Sequence, residues 1–174
     1  RLRGVRVMGR SVGPVPEPEL LGALSDRGLV LDLLARPDTL RSSAEALASA
    51  SGLVTVVEHA GWLRSDSVEE RQLWDDGLSA LADVGPNVVC KISAVAGASD
   101  PEWTVASIRP WILGCIETFG ADRCMLGTNW PVDRLFGTYV DVVEAYRDVV
   151  AELTASEQDA VLAGTAQTVY GVIL

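Results

Sequence analysis

Polar residues that could carry acid–base or anion-binding chemistry stand at the ends of five short apolar segments. A carboxylate or an imidazole can accept a proton from water, and a lysine or arginine can stabilise a developing oxyanion. A charge within an apolar strand is costly unless it is paired, so we expect these groups to meet each other or a ligand. The residues are Arg6, Asp32, Glu58, His59, Lys91, Ser93, Asn129 and Asp133.

Several of these residues also have a structural interpretation that the sequence alone leaves open. His59 is the only histidine, and it could be a hydrogen-bonded structural residue. Lys91 could form an ion pair with Glu58 or Asp32 instead of contacting a substrate. Asp32 could instead cap a neighbouring loop, and Arg6 could be a solvated strand residue. The elements that carry these side chains therefore decide whether they can meet.

Five strands alternating with five helices are predicted to position the polar residues. Short apolar runs predict strands at 4–8, 29–34, 53–58, 88–93 and 124–127. Helical periodicity predicts helices at 19–26, 40–48, 68–84, 108–119 and 139–153. A Pro-rich connector, 14–18, follows the first strand, and Thr154 with Glu157 fits the capping box of a short terminal helix. The helical aromatics Trp111, Tyr139 and Tyr146 are expected in the core.

The alternation predicts an α/β fold with parallel strands, in a single domain over residues 1–174. In such folds the chemistry sits at the carboxyl ends of the strands, where the polar residues stand. Periodicity leaves two architectures open. One is a five-stranded doubly wound sheet of the flavodoxin type. The other is the last five units of a (β/α)8 TIM barrel, which normally needs about 250 residues.

The composition excludes several classes of function. The 174 residues hold 14 Lys and Arg against 24 Asp and Glu, a formal net charge of −10. This balance argues against nucleic-acid binding and against adsorption to an anionic membrane, and no apolar run approaches the roughly 18 residues of a transmembrane helix. The cysteines, Cys90, Cys115 and Cys124, form no disulfide framework. We therefore expect a cytoplasmic protein with reduced thiols that acts on a small molecule.

Three segments, in this order, resemble the C-terminal part of the amidohydrolase-related family (amidohydrolase 2). They are VVEHAG at 56–61, NVVCKIS at 87–93 and FGADRCMLGTNWPVD at 119–133. The third is the most specific. The run Arg3 to Arg6 is similar to the family's Gly-x-Arg strand, and AGTAQTVY, ending at Tyr170, is similar to its terminal helix. The most similar branch is that of the sugar-lactone hydrolases, akin to fuconolactonase and pyrone-dicarboxylate lactonase.

The resemblance implies a TIM barrel of which this chain holds the last five βα units, with the three N-terminal units missing. The family's metal site, zinc in some relatives, would combine a His-x-His pair of those units with another histidine and an aspartate. His59 resembles a barrel histidine of the family, whereas Asn129 stands where many members place the catalytic aspartate and Thr165 replaces a frequent asparagine. An amide cannot take a proton from water near neutral pH, so Asp133 is a candidate substitute. We expect no metal site from these residues alone.

The activity that the resemblance implies is the opening of a lactone or similar cyclic ester by water. His59, Asn129 and Asp133 are the catalytic candidates, with Asn129 orienting water or the ester oxygen. Arg6 and Lys91, together with His59, would hold the oxyanion or a substrate carboxylate. Trp130 would form a wall of the pocket.

Three alternatives to a lactonase remain open at this point. One is a decarboxylase of the same family, one is a truncated or degenerate chain without catalysis, and one is a flavodoxin-like binding module. Five units cannot close an eight-stranded barrel. The isolated chain is therefore expected to be inactive and to aggregate or assemble, for example as a homo-oligomer, through its open sheet edges.

Overall fold

The computed structural model describes residues 2–7, 15–63, 65, 67–96 and 101–172. Five strands form one sheet in the order β1-β2-β3-β4-β5, and each neighbouring pair is parallel. The strands are β1 (Gly4–Arg6), β2 (Val30–Leu33), β3 (Thr55–Val57), β4 (Val88–Ile92) and β5 (Cys124–Leu126). All five predicted strands are confirmed, while Met8 and Pro14, predicted to end β1 and to begin the connector, lie outside the described residues.

The strand order contradicts the doubly wound alternative. A sheet of that type reverses its strand order at an internal switch point, which sends helices to both faces. Here the strands follow one another in chain order without reversal. Because crossovers between parallel strands keep one hand, consecutive order places the connecting helices on one face, as in an arc of a barrel.

The five predicted helices are confirmed, and a helical terminus follows them. They are α1 (Pro18–Ser25), α2 (Pro37–Leu47), α3 (Val68–Val84), α4 (Val105–Phe119) and α5 (Tyr139–Val150). The terminus consists of α6 (Ala155–Asp159), one π-helical turn (Ala160–Gly164) and α7 (Thr165–Tyr170). The capping box predicted at Thr154 and Glu157 begins α6. Among the described residues, none of the helices combines the length and the apolarity needed to cross a bilayer.

The two faces of the sheet carry different side chains. One face packs against α1–α5 in the main core, which includes Leu31, Leu33, Val57, Cys90, Ile92 and Cys124 from the strands and Trp74, Ile112 and Tyr146 from the helices. The other face carries a thin apolar row that packs against α7: Val30, Val56, Val89 and Met125 meet Ala166, Val169 and Tyr170. Because side chains alternate along a strand, Asp32, Glu58 and Lys91 project from this second face, two positions beyond that row.

One core prediction is wrong. Tyr146 is buried as expected, but Tyr139 is 48% exposed, because it is the first residue of α5 and its ring packs against the exposed Trp130. The three cysteines are buried and free, so nothing in the fold depends on a disulfide among them.

Candidate active site

A buried carboxylate lies at the centre of the polar residues at the carboxyl ends of the strands. Glu58 is 1% exposed. Arg6 Nη2 donates to its Oε2 at 2.5 Å, and Lys91 Nζ lies 2.9 Å from both Oε1 and Oε2. Lys91 therefore forms the ion pair with Glu58 that the sequence left open, and its amine remains available as a candidate substrate contact. Arg6 is likewise paired rather than merely solvated, and we call these residues, with His59, the Glu58 cluster.

The backbone at the end of β3 sets the position of the imidazole. His59 and Ala60 adopt left-handed φ angles of 53° and 50°, which is unusual for residues other than glycine. The turn buries the His59 ring against the edge of Trp62, with 5.1 Å between ring centroids. His59 Nδ1 lies 2.8 Å from Ser93 Oγ, a contact that links the ends of β3 and β4.

His59 is neutral at physiological pH. Burial is the main cause that lowers its pKa to about 4, and the positive charges of Lys91 and Arg6 lower it further. The Glu58 carboxylate opposes them, and its Oε2 lies 3.9 Å from His59 Nε2. The ring therefore keeps one nitrogen that accepts a hydrogen bond and one that donates.

The Asp32 side chain accepts a hydrogen bond from the terminal helix, in contrast to the alternative interpretation that it caps a neighbouring loop. The Tyr170 hydroxyl donates to Asp32 Oδ1 at 2.7 Å, and Arg6 is its partner in the β1–β2 register. Burial raises the pKa of Asp32, while the hydrogen bond from Tyr170 opposes that rise. The C-terminal helix thus contributes directly to the charged face of the sheet.

A second pair forms after β5. Asn129 Nδ2 donates to Asp133 Oδ1 at 2.7 Å, and Asn129 has a left-handed φ of 53°. Asp133 is 1% exposed, and burial raises the pKa of its carboxyl group while the hydrogen bond from Asn129 lowers it. Asp133, the residue predicted as a substitute base, therefore lies in the protein interior and accepts a hydrogen bond from Asn129.

Gly127, directly after β5, lies beside the lysine of the Glu58 cluster. A Cβ at Gly127 would lie 3.1 Å from Lys91 Cε, so the glycine leaves room for the lysine stem beside β5. Asn129 follows two residues later. Trp130, predicted to form a pocket wall, is 41% exposed, and its ring packs edge-on against Tyr139 with 5.5 Å between centroids.

The structure thus brings three predicted residues, Arg6, His59 and Lys91, around one carboxylate, and it joins two others, Asn129 and Asp133, in a separate pair. The central residue, Glu58, was noted at the strand end but not chosen as a site residue. Its signal was a charge directly before the only histidine, at the end of an apolar strand. Tyr170 gave no signal, because its contact spans 138 residues.

The described residues do not fit a metal centre. Among them, no three His, Cys, Asp or Glu side chains come together in a way that could hold a metal ion. The Nδ1 atom of the sole histidine contacts Ser93, and both oxygens of Glu58 accept from Lys91. An amide at Asn129 is a weaker ligand than a carboxylate.

The chain belongs to the amidohydrolase family, which it matches over residues 1–172. It is 29% identical over 148 residues to an L-fucono-1,5-lactonase of Burkholderia ambifaria, covering 81% of this chain and 50% of that protein. The resemblance seen in the motifs, including their similarity to the lactonase branch, is confirmed.

Solved structures of this family share the fold. An amidohydrolase from Burkholderia multivorans with bound zinc superposes with a TM-score of 0.87 at 24% identity, over 99% of this chain and 65% of that one. A putative 2-pyrone-4,6-dicarboxylic acid hydrolase from Pseudomonas putida gives 0.77 at 24% identity, over 99% and 64%. The chain spans about half the length of the curated relatives it matches.

Proposed function

We propose that the protein is a hydrolase that opens a lactone or a related cyclic ester by attack of water on the ring carbonyl. The observation that carries this proposal is the Glu58 cluster, in which two cations and a neutral imidazole surround one buried carboxylate at the carboxyl ends of parallel strands. The similarity to an L-fucono-1,5-lactonase supports the choice of an ester substrate.

The cations Arg6 and Lys91 supply the electrostatic part of the reaction. The Lys91 side chain is 24% exposed, so a ligand can reach it. The carbonyl oxygen becomes negative as water adds, and one preorganised donor to such an oxyanion is worth about 10²–10³ in rate. A carboxylate on the substrate would bind the same pair.

His59 moves the proton in this scheme. The neutral ring accepts a hydrogen bond from the attacking water and takes its proton as the C–O bond forms, and Glu58 stabilises the imidazolium. The charges of Lys91 and Arg6 lower the pKa of His59. An anionic substrate on these cations therefore makes His59 more basic only when the substrate is bound. The proton then passes to the ring oxygen that leaves as the ester opens.

The relative from Burkholderia multivorans holds zinc, but the residues described here do not fit a metal on their own. The scheme therefore assigns each step to side chains of this chain. In this proposal Asn129 orients the water or the ester oxygen, and Trp130 is assigned to a wall of the pocket.

We also propose that the five strands are the last five units of a closed barrel, which needs further strands at the sheet edges. An unpaired parallel strand exposes backbone donors and acceptors. The isolated chain should therefore assemble or aggregate, which sedimentation velocity measures. A single monomeric species with cooperative unfolding would reject this part of the proposal.

The activity is tested on the full-length protein, in which the barrel is closed, with a panel that includes L-fucono-1,5-lactone and 2-pyrone-4,6-dicarboxylate. Acid release and carbon dioxide release are recorded separately. His59→Gln and Lys91→Met should each lower kcat/KM by about 10² or more, because each removes a group that acts on the transition state. Acid release without carbon dioxide supports the hydrolase, and the reverse supports a decarboxylase.

Arg109→Met is the matched control for Lys91→Met. Arg109, on α4, pairs with Glu152, which follows α5, so the substitution also removes an ion-paired cation, but away from the site. Its turnover should stay within about twofold of the parent protein, since exposed ion pairs contribute little. Equal losses in all three variants would reject the site.

A further inference from the structure

We infer that Asp133 is a positioning residue that fixes the orientation of the Asn129 side-chain amide, so that the side-chain oxygen (Oδ1) of Asn129 is presented to the substrate. The inference rests on the proposed function for the identity of the ligand, but not for the contact itself. Asn129 Nδ2 donates to Asp133 Oδ1 at 2.7 Å.

The backbone reinforces this contact. The Asn129 carbonyl oxygen of the main chain accepts from Val132 N at 2.9 Å and from Asp133 N at 3.4 Å, so the two residues are joined twice within one turn. Asn129 holds a left-handed φ of 53° in this turn. Such a conformation persists in residues other than glycine where the surroundings impose it. The turn therefore fixes both the main chain and the side chain of Asn129.

The cost of burying Asp133 argues that its carboxylate has a task beyond packing. Asp133 is 1% exposed, and within the described residues its Oδ2 has no hydrogen-bond partner. A buried carboxylate with an unpaired oxygen is less favourable than an apolar side chain of the same shape. What the carboxylate does supply is an acceptor for the Asn129 amide.

The geometry of an amide then determines what Asn129 offers. Its nitrogen only donates and its oxygen only accepts, and the two point in different directions from the same carbon. With the nitrogen held by Asp133, the side-chain oxygen points away from that carboxylate. Within the described part of the chain, the contacts of this side chain do not engage that oxygen. Position 129 therefore presents a neutral acceptor, which fits a hydroxyl group of a sugar lactone or the attacking water.

A double-mutant cycle on kcat/KM, measured in the full-length protein, tests whether Asp133 acts through Asn129. Asp133→Leu removes the acceptor at similar volume and should lower kcat/KM about tenfold. In an Asn129→Ala background the same change should alter kcat/KM by less than about twofold, because there is no amide left to orient. Asp133→Asn, which keeps an acceptor oxygen, should restore most of the loss. Equal losses from Asp133→Leu in both backgrounds would overturn the inference.

A measurement on the free protein needs no substrate and separates this inference from the proposed function. These 174 residues have two asparagines, Asn87 and Asn129, and an Asn129→Ala and an Asn87→Ala variant assign their side-chain amide signals in ¹H–¹⁵N NMR spectra. Asp133→Leu should move the Asn129 signals and leave those of Asn87, which donates to Ser51 O at 3.0 Å, in place. Tyr146→Phe, a control that removes a buried hydroxyl near Asp133, should leave both pairs in place.

Unmoved Asn129 signals in Asp133→Leu would reject the inference even if the protein opens lactones. If the signals move as expected and none of the lactones is opened, the proposed function fails and the orientation of Asn129 by Asp133 stands.

Discussion

Two carboxylates of this protein are equally buried, at 1% exposure, yet their surroundings differ. Glu58 accepts from two cations that engage both of its oxygens, whereas Asp133 accepts from one neutral amide through one oxygen. The comparison shows that pairing, more than burial, sets what a buried charge does. The first carboxylate holds a charged site together, whereas the second has a pKa that burial raises, and it orients a neighbour.

Removing the better-paired carboxylate should have the largest effect. Glu58→Ala leaves Arg6 and Lys91 without their shared partner, and breaking a buried pair in this way costs about 3–5 kcal/mol in the free energy of unfolding. Denaturant titration measures it. A loss below about 1 kcal/mol would show that the two cations are solvated well enough to need no partner.

The neutral histidine makes the Glu58 cluster sensitive to acid. Its pKa is lowered from 6.5 to about 4 on folding, so its contribution to stability is fully present above pH 6.5. That contribution is lost as the pH falls from 6.5 through 4, because only the unfolded chain takes up the proton in this range. The loss is up to about 3 kcal/mol. His59→Gln should flatten the profile between these values, and an unchanged slope would contradict the assignment.

Asp133 should show the opposite pH dependence. Its folded pKa is raised from the ordinary value of 3.8, so its contribution is fully present below pH 3.8 and is lost as the pH rises through the raised value. Asp133→Asn removes that loss and should stabilise the protein at neutral pH by about 1 kcal/mol. The same exchange at Glu58, Glu58→Gln, should destabilise it. Unfolding curves at pH 4 and 7 measure the change in the free energy of unfolding for each variant. A change of the same sign in both variants would contradict the contrast between Asp133 and Glu58.

A third carboxylate, Asp32, gives the smallest expected effect. It is half-buried and accepts one hydrogen bond from Tyr170. Tyr170→Phe removes that donor and should cost about 1 kcal/mol. Because the hydrogen bond lowers the pKa of Asp32, the pKa should also rise in the variant, as carboxyl ¹³C NMR would measure. Thermal unfolding identical to that of the parent would mean that solvent replaces the tyrosine hydroxyl without loss.

The alternation of short apolar runs with helical segments was enough to predict the five strands and the helices between them. Local signals also located helix ends, such as the capping box at Thr154 and Glu157. The choice of architecture could not be made in this way, because periodicity does not contain strand order. The consecutive order of β1 to β5 depends on contacts between distant segments.

Polar residues at the strand ends could be predicted from the sequence, but most of the contacts among them could not; the ion pair of Lys91 with Glu58 was one of the alternatives left open. Charges that interrupt apolar strands identified Arg6, Lys91 and the end of β3, because a buried charge is costly unless it is paired or binds a ligand. Which group each one meets depends on register and on turns. The left-handed backbone at His59 and Asn129, neither of them glycine, has no local signature in the sequence. The Tyr170–Asp32 contact joins opposite ends of the chain.

Lys91, which pairs with Glu58 in the Glu58 cluster, is the only lysine of these 174 residues. Within them, amine-directed reagents therefore have one side chain to modify, and it belongs to the proposed catalytic centre. Protection of that amine from acylation, followed by mass spectrometry, would report occupancy of the centre by any candidate compound, whether or not the compound is turned over.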